Sequence, residues 1–161
     1  MPSPLVSSLI AELNATKEFF DRGTRALEEG DSSYSPQASM MTAAQQIAHV
    51  AQTLDWFVEG ATRPEGFDLN FDEHAKAVAK ITSIKAAREW HDRSHKNVVA
   101  TIEKMSDAEL HSPLPPGPVM GGYPKVAIVG SIVDHTAHHR GALSVYTRLI
   151  GKIPPMPYMD M

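Results

Sequence analysis

"IVGSIVDHTAHHRGALSVYTRLI", residues 128–150, decides the fold class. At about 100° per residue, Ile128, Ile132, Leu143, Tyr146 and Ile150 gather on one side of a helix, and His135 and His139, about 40° apart, share that side. His138 falls about 60° beyond His135, at the border with the face that carries Arg140, Ser144 and Arg148. A helix with this stripe must lie against others, and it turns two imidazoles inward with its apolar side chains.

Three further segments carry the same period and none alternates as a strand, so the chain reads as all-α. The first helix is expected from the Ser3-Pro4 cap to about Gly30, with Leu5, Leu9, Leu13, Phe20 and Leu27 inward. The second is expected after Ser35-Pro36 and ends near Gly60. A third spans Asp72 to Met105, with a break near Thr82-Ser83, where capping residues allow a restart. After the Pro/Gly-rich "SPLPPGPVMGGYP", the fourth runs from Pro124 to Ile150. The connections are longer than hairpins need, which predicts a four-helix bundle with at least one crossover, as a single domain over residues 1–161.

Composition narrows the function. Fifteen Lys and Arg against nineteen Asp and Glu give a net charge of −4, with no basic cluster to meet nucleic acid or an anionic membrane. There is no cysteine, so any metal must sit on nitrogen and oxygen ligands. No apolar run is long enough to span a membrane, and the N-terminal stretch lacks the pattern of a signal peptide. A cytoplasmic protein is expected, and self-association as a homodimer is compatible with a small bundle.

Two inward histidines on one helix are either a metal-ligand pair or core residues bonded to their neighbours. Each needs a polar partner in a low-dielectric interior, so a pair favours metal more than a lone histidine would. For further ligands the sequence leaves two sources open. His49 lies on the shoulder of the second helix, in line with Gln46, Thr53 and Trp56, whereas "WHDRSH" places His91 and His95 at the same i, i+4 spacing as the terminal pair. Spacing does not choose between them. His74 and His111 read as surface residues, Asp55 and Glu59 as solvated charge, and Trp56 and Trp90 as core or pocket walls. Phosphate loops, serine nucleophile elbows and paired-carboxylate di-iron patterns are absent from the sequence.

The last helix and its tail, "HTAHHRGALSVYTRLIGKIPPMPY", resemble the H-x-x-H-H-R-G-Q ending and Pro-rich tail of the DinB-like (DinB/YfiT-like) proteins of bacteria, and "QQIAHVAQTLDWF" is similar to the helix carrying that family's first ligand. The resemblance implies a four-helix bundle with a crossover and a divalent metal, nickel or zinc, held by one histidine of the second helix and two of the last. Carried onto this chain, the ligands are His49, His135 and His139, with His91, His95, Trp56 and Arg140 as pocket lining or supporting residues. Ala142 stands where the motif has Gln. Three imidazoles leave an open position for water or a thiolate, the arrangement of a catalytic zinc-type site. The resemblance therefore implies a metal-dependent enzyme, a low-molecular-weight-thiol S-transferase or a hydrolase. The alternative is a non-catalytic metal-binding or stress-response protein of the same fold.

Overall fold

The computed structural model describes residues 1–160, and among them every regular element is helical. Four long helices, α1 (Pro4–Thr24), α2 (Ala43–Thr62), α4 (Ile84–Lys104) and α6 (Ala127–Leu149), form a bundle; α3 (Phe71–Ala79) and α5 (Asp107–His111) are short. α1 packs on α4 and α6, and α2 packs on the same two, so α1 and α2 sit across a diagonal, as do α4 and α6.

Side-chain pairs give the directions. Asn14 meets His95 and Thr24 meets Arg88, which makes α1 and α4 antiparallel. Gln46 meets Tyr146 and Thr53 meets His135, so α2 and α6 are antiparallel too. Buried Ser32 accepts from Ala44 N through its carbonyl and from Ile84 N through its hydroxyl, holding the starts of α2 and α4 together, and these two helices run parallel. The crossover is therefore the α2–α4 connection, which returns along the outside of α2 and contains α3.

Caps explain where each helix begins. Ser3 accepts from Val6 N, Thr42 and Gln45 form a reciprocal capping box, and Ser83 and Ser106 cap α4 and α5. Each cap contributes about 1 kcal/mol. These bonds also correct the expected boundaries. α1 stops at Thr24 and not Gly30, because the Arg88 guanidinium takes the Thr24 carbonyl at 3.0 Å and its hydroxyl oxygen at 3.2 Å. α2 starts at Ala43, not after Pro36, because the capping box outcompetes the proline signal. The expected third helix is two, α3 and α4, separated at Lys80–Ser83 where the Ser83 cap restarts the chain. A helical turn, α5, capped by Ser106, precedes the Pro/Gly connection.

Phe20, Leu13, Ile47, Val98, Ile102, Ile128, Ile132 and Leu143 fill the centre, each at most 1 % exposed. α2 is buried on most sides, and its alanines, Ala43, Ala44, Ala48 and Ala51, let its neighbours approach closely. Near its end, a Cβ on Gly60 would lie 2.3 Å from the Phe67 ring, so only glycine admits the crossover there. No helix among the described residues is long and apolar enough to cross a membrane.

Candidate metal centre

α2 presents Gln46, His49, Gln52, Thr53 and Trp56 at intervals of three and four residues, a polar stripe on a mostly apolar helix. α6, antiparallel to it, presents His135 and His139. Where the two stripes meet, one ligand atom from each of His49, His135 and His139 lies within 4.8 Å of the other two. His49 Nε2 and His135 Nε2 are 3.3 Å apart, and the rings of His139 stand 4.8 Å from His49 and 4.5 Å from His135, centroid to centroid.

The tautomer of His139 follows from a hydrogen-bond chain. Tyr146 donates its hydroxyl to the Met41 carbonyl at 2.8 Å, and Gln46 Nε2 donates to the Tyr146 oxygen at 3.4 Å. Gln46 must then turn Oε1 to His139 Nδ1, with which it makes a short contact. An amide oxygen only accepts, so Nδ1 carries the proton and Nε2 keeps the lone pair. Gln52 lies beside His49 and favours its protonated form, against the larger effect of burial. His135 Nδ1 is buried without a protein partner, and Thr53 Oγ1 stands 3.5 Å from its Nε2.

The electrostatics keep these rings neutral. Burial, then the neighbouring imidazoles, push His135 down to about 4 and His139 to about 3, and burial also lowers His49. At neutral pH all three offer lone pairs, as divalent-metal ligands must. The donor set, with one tautomer fixed and no carboxylate in it, fits a borderline transition ion and not calcium or magnesium.

His49, His135 and Thr53 open onto a cavity of about 430 Å³ whose other walls are Trp56 and Met41 on the α2 side and Phe71, Ala75 and Val78 of α3. Trp56 is fixed by donating Nε1 to the Asp68 carbonyl at 2.7 Å and by packing 4.7 Å from the Phe67 ring.

The chain belongs to the DinB family. The family model matches residues 1–161. Two solved structures share the fold: a DinB-like protein from Bacillus subtilis, 17 % identical with a TM-score of 0.65 over 99 % of this chain and 100 % of that one, and a DinB-like protein from Bacillus cereus, 17 % identical with a TM-score of 0.69 over 94 % of each. No curated protein matches the chain.

Among the residues singled out from the sequence, the structure brings His49, His135 and His139 together and places Trp56 in the cavity wall. It separates the others. His91 is 2 % exposed, edge-on to Phe20 at 4.9 Å with Nδ1 3.8 Å from Asp21 Oδ1, and His95 Nε2 pairs with Asn14 Oδ1 at 2.9 Å. Both face α1, because α4 lies across the diagonal from α6, and neither lines the cavity. Arg140 also points away, toward Tyr158 of the C-terminal tail, whose hydroxyl accepts at 3.2 Å and whose ring lies 5.4 Å from the guanidinium carbon. Asp55 is not free charge, since its Oδ2 accepts from Trp90 Nε1 at 2.8 Å. His74, expected at the surface, lines the cavity instead.

Gln46 is the supporting residue that spacing alone does not assign, yet its signal is present: it lies three residues from His49, and a buried amide on a helix face must bond something.

Proposed function

We propose that this DinB-family protein is a metal-dependent enzyme that uses His49, His135 and His139 to hold nickel or zinc and transfers a low-molecular-weight thiol to an electrophile. Hydrolysis by the same site is the variant in which water replaces the thiol. One observation carries this reading: three neutral imidazoles, one with its tautomer fixed by Gln46, converge beside a cavity large enough for a substrate.

A divalent ion in this ligand set supplies the Lewis acidity that makes a thiol or water nucleophilic at neutral pH. The chain's residues supply the rest. Gln46 orients the ring of His139, Thr53 offers a hydroxyl beside His135, and the apolar walls of α2 and α3 hold a substrate beside the reacting groups. In the transfer a sulfur–carbon bond forms, the leaving group departs with the electron pair of the bond that breaks, and the thiol proton passes to water.

The test is metal content by elemental analysis of untagged protein, comparing wild type with His139→Ala and His95→Ala. About one equivalent per chain, lost in His139→Ala and kept in His95→Ala, is the expected result, followed by a screen of thiols with the loaded protein. Absence of metal after reconstitution refutes the proposal. Stoichiometric metal with no turnover of any thiol or ester favours a metal-binding protein without catalysis.

A further inference from the structure

The residues lining the 430 Å³ cavity include no Lys, Arg, Asp or Glu. Nearby charges are already engaged elsewhere. Glu73 and Lys76 pair with each other at 2.7 Å on α3, Asp55 is taken by Trp90, and Asp68 faces His74.

Of the two amides in the wall, Gln45 is engaged: it accepts from Thr42 N at 2.9 Å and directs its nitrogen to the Ala79 carbonyl at 3.5 Å. What remains for a ligand is the neutral Gln52 amide, the Thr53 hydroxyl, the edge of His74 and a surface of Trp56, Phe71, Met41 and Val78.

In the metal-free chain an ion entering this space would give up part of its hydration and find no counter-charge, which lowers its affinity relative to a neutral molecule of the same shape. An aromatic ring would instead meet Trp56 and Phe71 in edge or offset contact. We infer that the cavity takes a neutral, apolar, aryl-bearing molecule, and that this is the electrophile of the proposed transfer.

The chemistry done on that molecule rests on the metal reading; the selection itself rests only on the cavity walls. The two therefore separate in one experiment. N-phenyl-1-naphthylamine, which is neutral, and 8-anilinonaphthalene-1-sulfonate, which is its anionic analogue, are titrated by fluorescence into the metal-free full chain. The same variants are titrated with zinc by calorimetry.

The neutral probe is expected to bind with one-to-one stoichiometry and the sulfonate at least about tenfold more weakly. Ala75→Trp, which fills the cavity from α3, should abolish binding of the neutral probe, and Ala75→Arg should narrow or reverse the preference. Equal or tighter binding of the sulfonate by wild type overturns the inference, as does binding of the neutral probe unaffected by Ala75→Trp. If zinc does not bind while the probe pattern holds, the proposed metal function falls and the cavity's selectivity stands. Zinc binding with the pattern reversed does the opposite.

Discussion

Two seams of this bundle bury histidines at the same i, i+4 spacing, and only one brings them to a common point. In the α2–α6 seam His135 and His139 meet a third imidazole and the Gln46 amide, with no carboxylate among them. In the α1–α4 seam His91 and His95 meet an ionic cluster: Lys17 bridges Asp21 and Asp92, with the Asp92 contact at 2.7 Å, and Arg88 closes the end of α1. The first seam collects neutral lone pairs; the second balances charges. What separates a ligand pair from a structural pair is the chemistry across the seam, which residue spacing does not encode.

The largest break in that comparison comes from deleting a ligand. His135→Ala should weaken zinc binding by more than the roughly 10–100-fold that loss of an outer partner costs, whereas His91→Ala should leave it unchanged; calorimetry reads both. Gln46→Ala comes next. It frees the His139 tautomer without removing a ligand, so affinity should fall about 10–100-fold while the fold remains intact by circular dichroism.

The acid behaviour of the second seam follows in size. Burial holds His91 neutral and pushes it down to about 4, below its ordinary value. Between about pH 6.5 and pH 4 the unfolded chain binds a proton that the folded chain refuses, so this group's contribution to stability falls as pH falls, by about 1.4 kcal/mol per pH unit. His91→Leu removes that loss, together with an orphaned Nδ1. Urea denaturation of metal-free protein at pH 7 and pH 5 should show a smaller drop for His91→Leu than for wild type, by about 2 kcal/mol.

The smallest effect is expected in the first seam. His135 near 4 and His139 near 3 carry no proton at pH 6, so metal displaces none from them there, and His49, lowered by burial, gives up fewer than an ordinary imidazole would. Zinc affinity should change little between pH 8 and pH 6 and be lost as pH falls through the range of these depressed values. A steep decline centred near 6.5, the ordinary imidazole value, would show rings that are not held neutral by burial.

Much of this architecture was legible in the chain. The apolar stripe of Ile128, Ile132, Leu143 and Tyr146 announced an inward face, and the four residues named are all at most 2 % exposed. Periodicity identifies an inward face without saying which helix stands opposite. That is why His91 and His95 could not be told from His49 by spacing, and why a diagonal arrangement of α4 and α6 settles the matter only in three dimensions. Arg140 escaped for the same reason: its partner, Tyr158, lies in a tail with no periodicity to read. His74 looked like a surface residue because "DEHAK" is polar, yet the crossover lays that helix over α2 and turns one edge of it toward Trp56.

The parallel pairing of α2 and α4 has a consequence for how such a protein diversifies. A chain that finishes α2 at one end of the bundle must travel back about 30 Å before it can begin a parallel α4, given about 1.5 Å per residue over a helix of 20 residues. That return trip is imposed by connectivity alone, and its middle portion, α3, becomes the outer wall of the cavity beside the histidines. The three histidines sit on core helices locked by capping and packing, while the cavity's outer side is drawn from α3, where Phe71 and Ala75 face solvent. Substitutions at the exposed wall positions of α3, Phe71 and Ala75, can therefore reshape the cavity without disturbing the histidines.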